Sequence, residues 1–273
     1  MPAHDTNPTP YPDVNAVLQV ILSGAQAILG DQFVGMYLDG SLVTGDFDAN
    51  RSDIDFVVVT AGEPRDDRYS ALRAMHARFA ASDSPWAIEL EGSYIARQAL
   101  RRHGTPPARH PRLERGPGEA LTLQRHDSDY WIIHRSILRE QGAVVAGPPP
   151  RTLIDPVLPD DLRRAVLDTI RTWWAPMLDV PAPVQHPGYQ TYAILTMCRM
   201  RYTLHHGAIV SKPVAARWAQ ETLGAPWAGL IDRALAWRKD RQSTPVASVG
   251  ETLGFIRFTV EHAQQYNLTT GER

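Results

Sequence analysis

Cysteine and lysine are nearly missing from this chain of 273 residues: Cys198 is the sole cysteine, and Lys212 and Lys239 are the only lysines. A lone cysteine excludes an intramolecular disulfide and fits a reducing, cytoplasmic setting. Its place in an apolar helical run predicts a packed thiol rather than a nucleophile. Excess charge of one sign is also lacking, with 28 Lys and Arg against 30 Asp and Glu and a net charge of −2. Proteins that grip a phosphate backbone carry a basic excess, so nucleic acid is not expected as a partner. Residues 1 to 14 are polar and proline-rich, with no basic segment leading into an apolar one, and a secretory signal is not expected. Apolar runs are read as too short for a membrane span. His126, His134, His205 and His206 lack the spacing and partner set of a zinc site and are read as surface or capping residues.

What is present describes an ordinary folded protein: 43% of residues are hydrophobic and 21% charged, over a length that allows two cores. Val14, Val17, Leu18, Ile21, Leu22, Ala25 and Ile28 keep helical spacing, with Asp13 as cap and Gly30 as end. Strands are expected at 33–38 and 54–60, a helix at 66–81, and a third strand from Trp86 to Tyr94. Another strand at 120–124, a helix at 129–141 and a strand at 143–146 follow. The stretch 97–118, rich in Arg, Pro and Gly, reads as a long loop of the kind that serves function. Gly147-Pro148-Pro149-Pro150 halts regular structure, which sets the expected domains at 1–150 and 151–273. Beyond Pro159 the periodicity is helical throughout, at 160–178, 189–206, 212–223, 226–238 and 248–266, with Ser211 as a cap and Gly207 as an end. The fold class is α+β: a mixed-sheet N-terminal domain and an all-α C-terminal helical bundle, with a cleft between them as the expected ligand site.

The chemistry concentrates in residues 37–59. Gly40 ends an apolar strand and lets a phosphate approach the backbone, and the Ser41 hydroxyl can donate to anionic oxygens. Asp53 and Asp55 alternate on the next strand, so both carboxylates leave one face while Ile54 points into the core. Two hard oxygens about 7 Å apart along a strand suit Mg²⁺ shared with nucleotide phosphates. The same pair could be the wet face of an amphipathic strand. Phe56 to Val59, however, is a continuous apolar run, which reads as a strand buried on both faces, and acidic residues at its mouth then need a purpose.

The strand expected at Trp86–Tyr94 adds Glu89 and Glu91 on a shared face. Either one, set beside the aspartates, could act as a general base, and both could instead face solvent. Glu89 is preferred because Glu91 lies nearer the strand end and Gly92. Lys212, at an expected helix start, opposes the helix dipole, which a bound anion would explain, and Arg199 on the preceding helix could join it. Taken singly, each reads as a surface charge. Trp173, Trp174 and Trp237 fall near helix ends, where a ring can stack on a base or sugar.

Gly40-Ser41, Asp53-Ile54-Asp55-Phe56 and Glu89 on the following strand together resemble the nucleotidyltransferase superfamily that includes DNA polymerase β. Residues 198–219 resemble the helical C-terminal domain of the aminoglycoside 3''(9)-adenylyltransferases, and Val145-Ala-Gly-Pro and Leu153-Ile-Asp-Pro-Val match that family's interdomain segment. The resemblance implies Asp53 and Asp55 as Mg²⁺ ligands, Ser41 and Ser52 as phosphate contacts beside Gly40, and Glu89 as catalytic base. It further implies Arg199 and Lys212 as a triphosphate clamp, Asp129 and Trp237 on the nucleotide side, and Trp174 with Asp179 as the pair that holds streptomycin. The implied reaction is transfer of AMP from ATP to a hydroxyl of a streptomycin- or spectinomycin-like antibiotic, by a monomeric cytoplasmic resistance enzyme. A different acceptor, or an ATP sensor without catalysis, would share the phosphate features. Asp39 departs from the family, which usually has an apolar or aromatic residue before the glycine, and the 97–118 stretch lacks the tryptophan that lines the family's drug pocket.

Overall fold

A computed structural model describes residues 7–49, 52–104, 109–125, 130–240 and 247–266. The chain divides into two compact units, Met1–Pro156 and Val157–Arg273.

The first unit is built on a six-stranded sheet of β1 (Phe33–Leu38), β2 (Ile54–Thr60), β3 (Leu90–Ala96), β4 (Arg109–Leu113), β5 (Thr122–Arg125) and β6 (Ala143–Ala146). The strand order is β5-β4-β3-β2-β1-β6. Among the described residues, only β2 and β3 pair in parallel, and every other pair is antiparallel. The helices of this unit are α1 (Pro12–Leu29), α2 (Ser41–Thr44), α3 (Asp66–Ala80), α4 (Arg97–Arg101), α5 (Trp131–Gln141) and α6 (Pro150–Leu153).

Strand β2 is buried on both faces, as its apolar run demands. Ile54, Phe56 and Val58 pack with Val14, Leu18 and Ile21 of α1 and with Leu72 and Met75 of α3. Val57 and Val59 pack on the other side with Leu100, Trp131, Leu138 and Leu153. Because successive strand residues alternate, Asp53 and Asp55 share the parity of Val57 and Val59 and lie at the mouth of that second layer. Leu153 and Ile154 belong to this core, so the division falls after Pro156 rather than at the proline cluster.

Helix α1 begins at Pro12 without a side-chain cap. Asp13 sits in its first turn, where it complements the dipole instead of capping, and Gly30, at φ 56°, ends the helix. Contrary to the sequence expectation, Pro12–Gln32 is long and apolar enough to cross a membrane by length and composition. Its apolar stripe of Val14, Val17, Leu18, Ile21, Leu22, Ala25 and Leu29 is core of the first unit, the pattern of a helix lying on a sheet.

Two departures from expectation shape the site. The strand expected from Trp86 starts only at Leu90 and runs to Ala96. Ala87 donates to the Ser84 carbonyl and Glu89 to the Trp86 carbonyl, which coils this stretch into turns. Trp86 is anchored in the core against Phe47, at 6.0 Å between ring centroids, while Ile88 is 41% exposed. The alternation of apolar residues here therefore reflects a turn with one buried anchor. The second departure is that 97–118 is not a single loop, since it carries α4 and β4. Pro111 cannot donate to a ladder and so argues against a strand. It is accommodated because β4 meets β3 only through Gly92 and Ser93.

The second unit is a helical bundle of α7 (Pro159–Thr169), α8 (Pro187–His206), α9 (Lys212–Leu223), α10 (Ala225–Lys239) and α11 (Val249–Ala263). Helix α8 is its centre, with Ala193, Ile194, Leu195, Met197 and Cys198 buried against the other four helices. Burial pushes the Cys198 thiol up to about 12, as fits a packed cysteine. Gly207, at φ 65°, closes α8. Ser211 stands at the start of α9 without a side-chain cap, whereas Ser248 and Glu251 form a reciprocal capping box on α11. The helix expected over 160–178 is interrupted by a π-turn at Ile170–Trp174 and a 3-10 turn at Pro176–Leu178.

Candidate active site

Parallel pairing of β2 with β3 sets Asp55 opposite Glu91. Side chains alternate identically along both strands, so Glu91 joins Asp53 and Asp55 on one face. Oxygens from the three carboxylates lie within 4.8 Å of one another. Three hard anionic donors at that spacing fit a magnesium ion that keeps other positions for water or phosphate. Like charges this close repel unless a cation is drawn in.

The turn beside the trio is shaped for close approach. Gly40 has φ 62°, and a Cβ there would stand 1.9 Å from Asp55 Oδ2, so no side chain fits. Ser41 opens α2, and its Oγ is buried without a hydrogen-bond partner. Ser52 is occupied differently: its hydroxyl accepts from the Asp48 amide at 3.0 Å, and its own amide donates to the Asp48 carbonyl at 2.8 Å. It thereby closes the loop that feeds β2.

Glu89 does not join the aspartates in the trio. It precedes β3 and pairs with Arg115 at 2.5 Å, and Arg115 also stands 3.7 Å from Asp53. The strand expected from Trp86 begins at Leu90, so the carboxylate in register with Asp55 is Glu91.

One cation, Arg112, pairs with Glu91. Arg112 donates from Nη2 to Glu91 Oε1, from Nη1 to Ser93 Oγ at 3.4 Å, and from Nε to Glu114 Oε1 at 2.6 Å. Gln124 on β5 donates to the same Glu114 oxygen at 3.2 Å. Burial raises the Glu91 carboxyl above its ordinary value, opposed by Arg112 and reinforced by Asp53 and Glu114. For Glu114 burial acts in the same upward sense, but the bond from Arg112 overcomes it and the carboxyl is held below its ordinary value.

His134, expected at the surface, enters the site. Its Nδ1 is 2.6 Å from Asp39 Oδ2. Asp39 is buried, its Oδ1 has no partner, and its amide donates to the Asp55 carbonyl at 3.1 Å. Asp39, Asp55, Glu91, Arg112, Trp131 and His134 line one pocket. The only sequence signal for this arrangement was an acidic residue at the end of an apolar strand.

The remaining expected residues lie in the helical unit or outside the described chain. Arg199 is half-buried on α8. Lys212 is the first residue of α9 and holds its Nζ 5.2 Å above the Tyr192 ring. Trp237 on α10 reaches toward Gly188, where a Cβ would meet its ring edge at 3.5 Å. Trp174 is 1% exposed and packs on Tyr189 and Tyr192, while Trp173 is 58% exposed. Asp179 is exposed just after the 3-10 turn. Asp129 lies outside the described residues.

Comparison with known proteins agrees with both halves of this picture. Residues 28–94 match the nucleotidyltransferase domain, and residues 152–257 match the aminoglycoside adenylyltransferase C-terminal domain. An aminoglycoside (3'') (9) adenylyltransferase of Escherichia coli is 29% identical over 123 residues, which span 44% of this chain and 44% of that relative. A spectinomycin 9-adenylyltransferase of Staphylococcus aureus is 30% identical over 215 residues, 75% of this chain and 77% of that one. Among solved structures, spectinomycin adenyltransferase AAD(9) from Enterococcus faecialis, with ATP and spectinomycin, has the same fold. It superposes with a TM-score of 0.68 at 18% identity, covering 90% of this chain and 98% of that one. The paired domain matches and the identity kept across three-quarters of the chain establish that it belongs to the aminoglycoside 3''(9)-adenylyltransferase family of the nucleotidyltransferase superfamily.

Proposed function

We propose that the chain transfers AMP from ATP to a hydroxyl of a streptomycin- or spectinomycin-like acceptor, releases pyrophosphate, and thereby confers resistance. The observation that carries this reading is the meeting of Asp53, Asp55 and Glu91 within 4.8 Å beside the Gly40 turn. The choice of acceptor follows the names of the relatives and the second-unit match.

Asp53, Asp55 and Glu91 would hold Mg²⁺, which when bound offsets negative charge on the phosphoryl oxygens. Gly40 leaves room for the phosphates against the backbone, and the unpartnered Ser41 hydroxyl donates to one of their oxygens. Ser52 stabilises the loop that presents Asp53. The acceptor oxygen forms a bond to the α-phosphorus as the bond to pyrophosphate breaks, and Glu91 takes the hydroxyl proton. Arg199 and Lys212 supply positive charge to the departing pyrophosphate, and Trp237 with Asp129 serves the nucleoside. Asp179, with the tryptophan pair at 173 and 174, holds the acceptor. The near-zero net charge disfavours nucleic acid as a partner, and the buried single cysteine fits a reducing, cytoplasmic setting.

Pyrophosphate release by the purified protein with ATP and Mg²⁺, in the presence and absence of streptomycin or spectinomycin, tests the reading. Release that depends on the antibiotic is expected. Release indifferent to it would overturn the acceptor, and ATP binding with no release under any condition would overturn catalysis.

A further inference from the structure

The trio of carboxylates has no room for error in Glu91, and the structure shows what fixes it. Glu91 shares its corner with Asp53 and Asp55, and like charges this close repel, so a flexible glutamate there needs a partner to hold it. Arg112 sits opposite Ser93 in the β3–β4 register, so its side chain reaches diagonally across to the residue two positions earlier. The guanidinium is planar with donors in fixed directions. Each of the three donors described above has a separate acceptor: Nη2 on Glu91, Nη1 on Ser93 and Nε on Glu114. Glu114 is itself held by Gln124. A continuous chain thus runs from Gln124 on β5 through Glu114 and Arg112 to Glu91. Only Oε1 of Glu91 is bonded by Arg112, which leaves Oε2 for substrate or cation.

We infer that Arg112, aimed by Glu114, is a positioning residue that fixes Glu91 in the orientation needed for cation binding and proton transfer. This rests on the adenylyltransferase reading above. A guanidinium that merely stapled β3 to β4 could do so through Ser93 or Glu91 alone and would not need the second carboxylate at Nε. Lysine tests the distinction because it keeps the charge but cannot reproduce the three-way fork.

The experiment uses the full chain, as wild type, Arg112→Lys and Glu114→Gln. Three quantities are read: Mn²⁺ binding to the nucleotide-free protein by electron paramagnetic resonance, kcat and KM for antibiotic-dependent pyrophosphate release, and the melting temperature. Outer-shell partners of metal ligands typically matter by ~10- to 100-fold. Arg112→Lys is expected to weaken Mn²⁺ and lower kcat by that order with KM for ATP little changed, and Glu114→Gln to do the same more mildly. Variants that melt like wild type and match it in Mn²⁺ affinity and kcat would overturn the inference. Should Arg112→Lys fail to fold, Glu114→Gln decides the matter, since it leaves Arg112 in place and removes only its aim. A wild type that neither binds Mn²⁺ nor releases pyrophosphate would instead refute the adenylyltransferase reading itself.

Discussion

His134 Nδ1 lies 2.6 Å from Asp39 Oδ2, tying α5 to the residue that precedes the Gly40 turn. Asp39 is a buried carboxylate whose other oxygen has no partner, so His134 is its main compensation. Removing one member of a buried pair leaves an uncompensated charge, at a cost of roughly 3 kcal/mol, while replacing both with apolar residues is often neutral. His134→Leu alone is therefore expected to destabilise by about that amount. The double variant Asp39→Leu with His134→Leu should recover at least half of it. Urea unfolding of the two singles and the double measures the coupling, and strictly additive effects would refute this account of the pair.

Exchanging each glutamate separately distinguishes the two candidate bases. Glu91→Gln removes the proton acceptor and a member of the trio, and pyrophosphate release should fall by a factor on the order of 10² to 10⁴. Glu89→Gln breaks only the contact with Arg115 and should leave most of the rate. Steady-state kinetics at saturating ATP decides it, and a severe loss in Glu89→Gln with a mild one in Glu91→Gln would make Glu89 the base.

Strand β2 and its two aspartates were legible because an unbroken apolar run, flanked by acids, has few other interpretations. The helices after Pro159 were legible from their periodicity. Strand β3 was legible but its start was not, because Trp86, Ile88 and Leu90 alternate like a strand while hydrogen bonds between neighbours coil the residues before Leu90 into turns. Strand β4 was hidden by Pro111, which removes a donor that most ladders need. The tryptophan pair illustrates a third limit. A π-turn inserts extra backbone into the helix, so Trp174 turns inward and Trp173 outward. The Asp39 and His134 pair spans 95 positions and leaves no local trace in the sequence.

Gly40 gives a prediction free of titration. A side chain at φ 62° with its Cβ 1.9 Å from Asp55 Oδ2 must push that carboxylate out of the trio. Gly40→Ala should lose about 1–3 kcal/mol of stability from backbone strain. The more telling expectation is the loss of cation binding in the fraction that remains folded. Calorimetric titration with Mn²⁺ below the melting temperature measures this, and undiminished affinity would show that the turn and the trio are not coupled.

His76 gives the fold a sensitivity to acid. It is buried between α3 and the sheet, with Nε2 2.7 Å from Tyr94 Oη and its ring 6.0 Å from Phe56. Burial lowers its pKa from the ordinary 6.5 to about 4. The Tyr94 phenol, whose own pKa is raised by burial, keeps its proton and shares the hydrogen bond with Nε2 of the neutral ring. Between pH 6.5 and 4 the unfolded chain binds a proton that the folded chain refuses, so this residue makes stability fall with falling pH. Its contribution is intact above pH 6.5 and declines by ~1.4 kcal/mol per pH unit, about 3 kcal/mol in all once pH 4 is reached. His76→Gln removes the titrating group while keeping a polar partner for Tyr94. Urea unfolding at pH 7.5 and pH 5 should show a markedly smaller drop for the variant than for wild type. Equal drops in the two proteins would mean that acid sensitivity has its origin elsewhere in the chain.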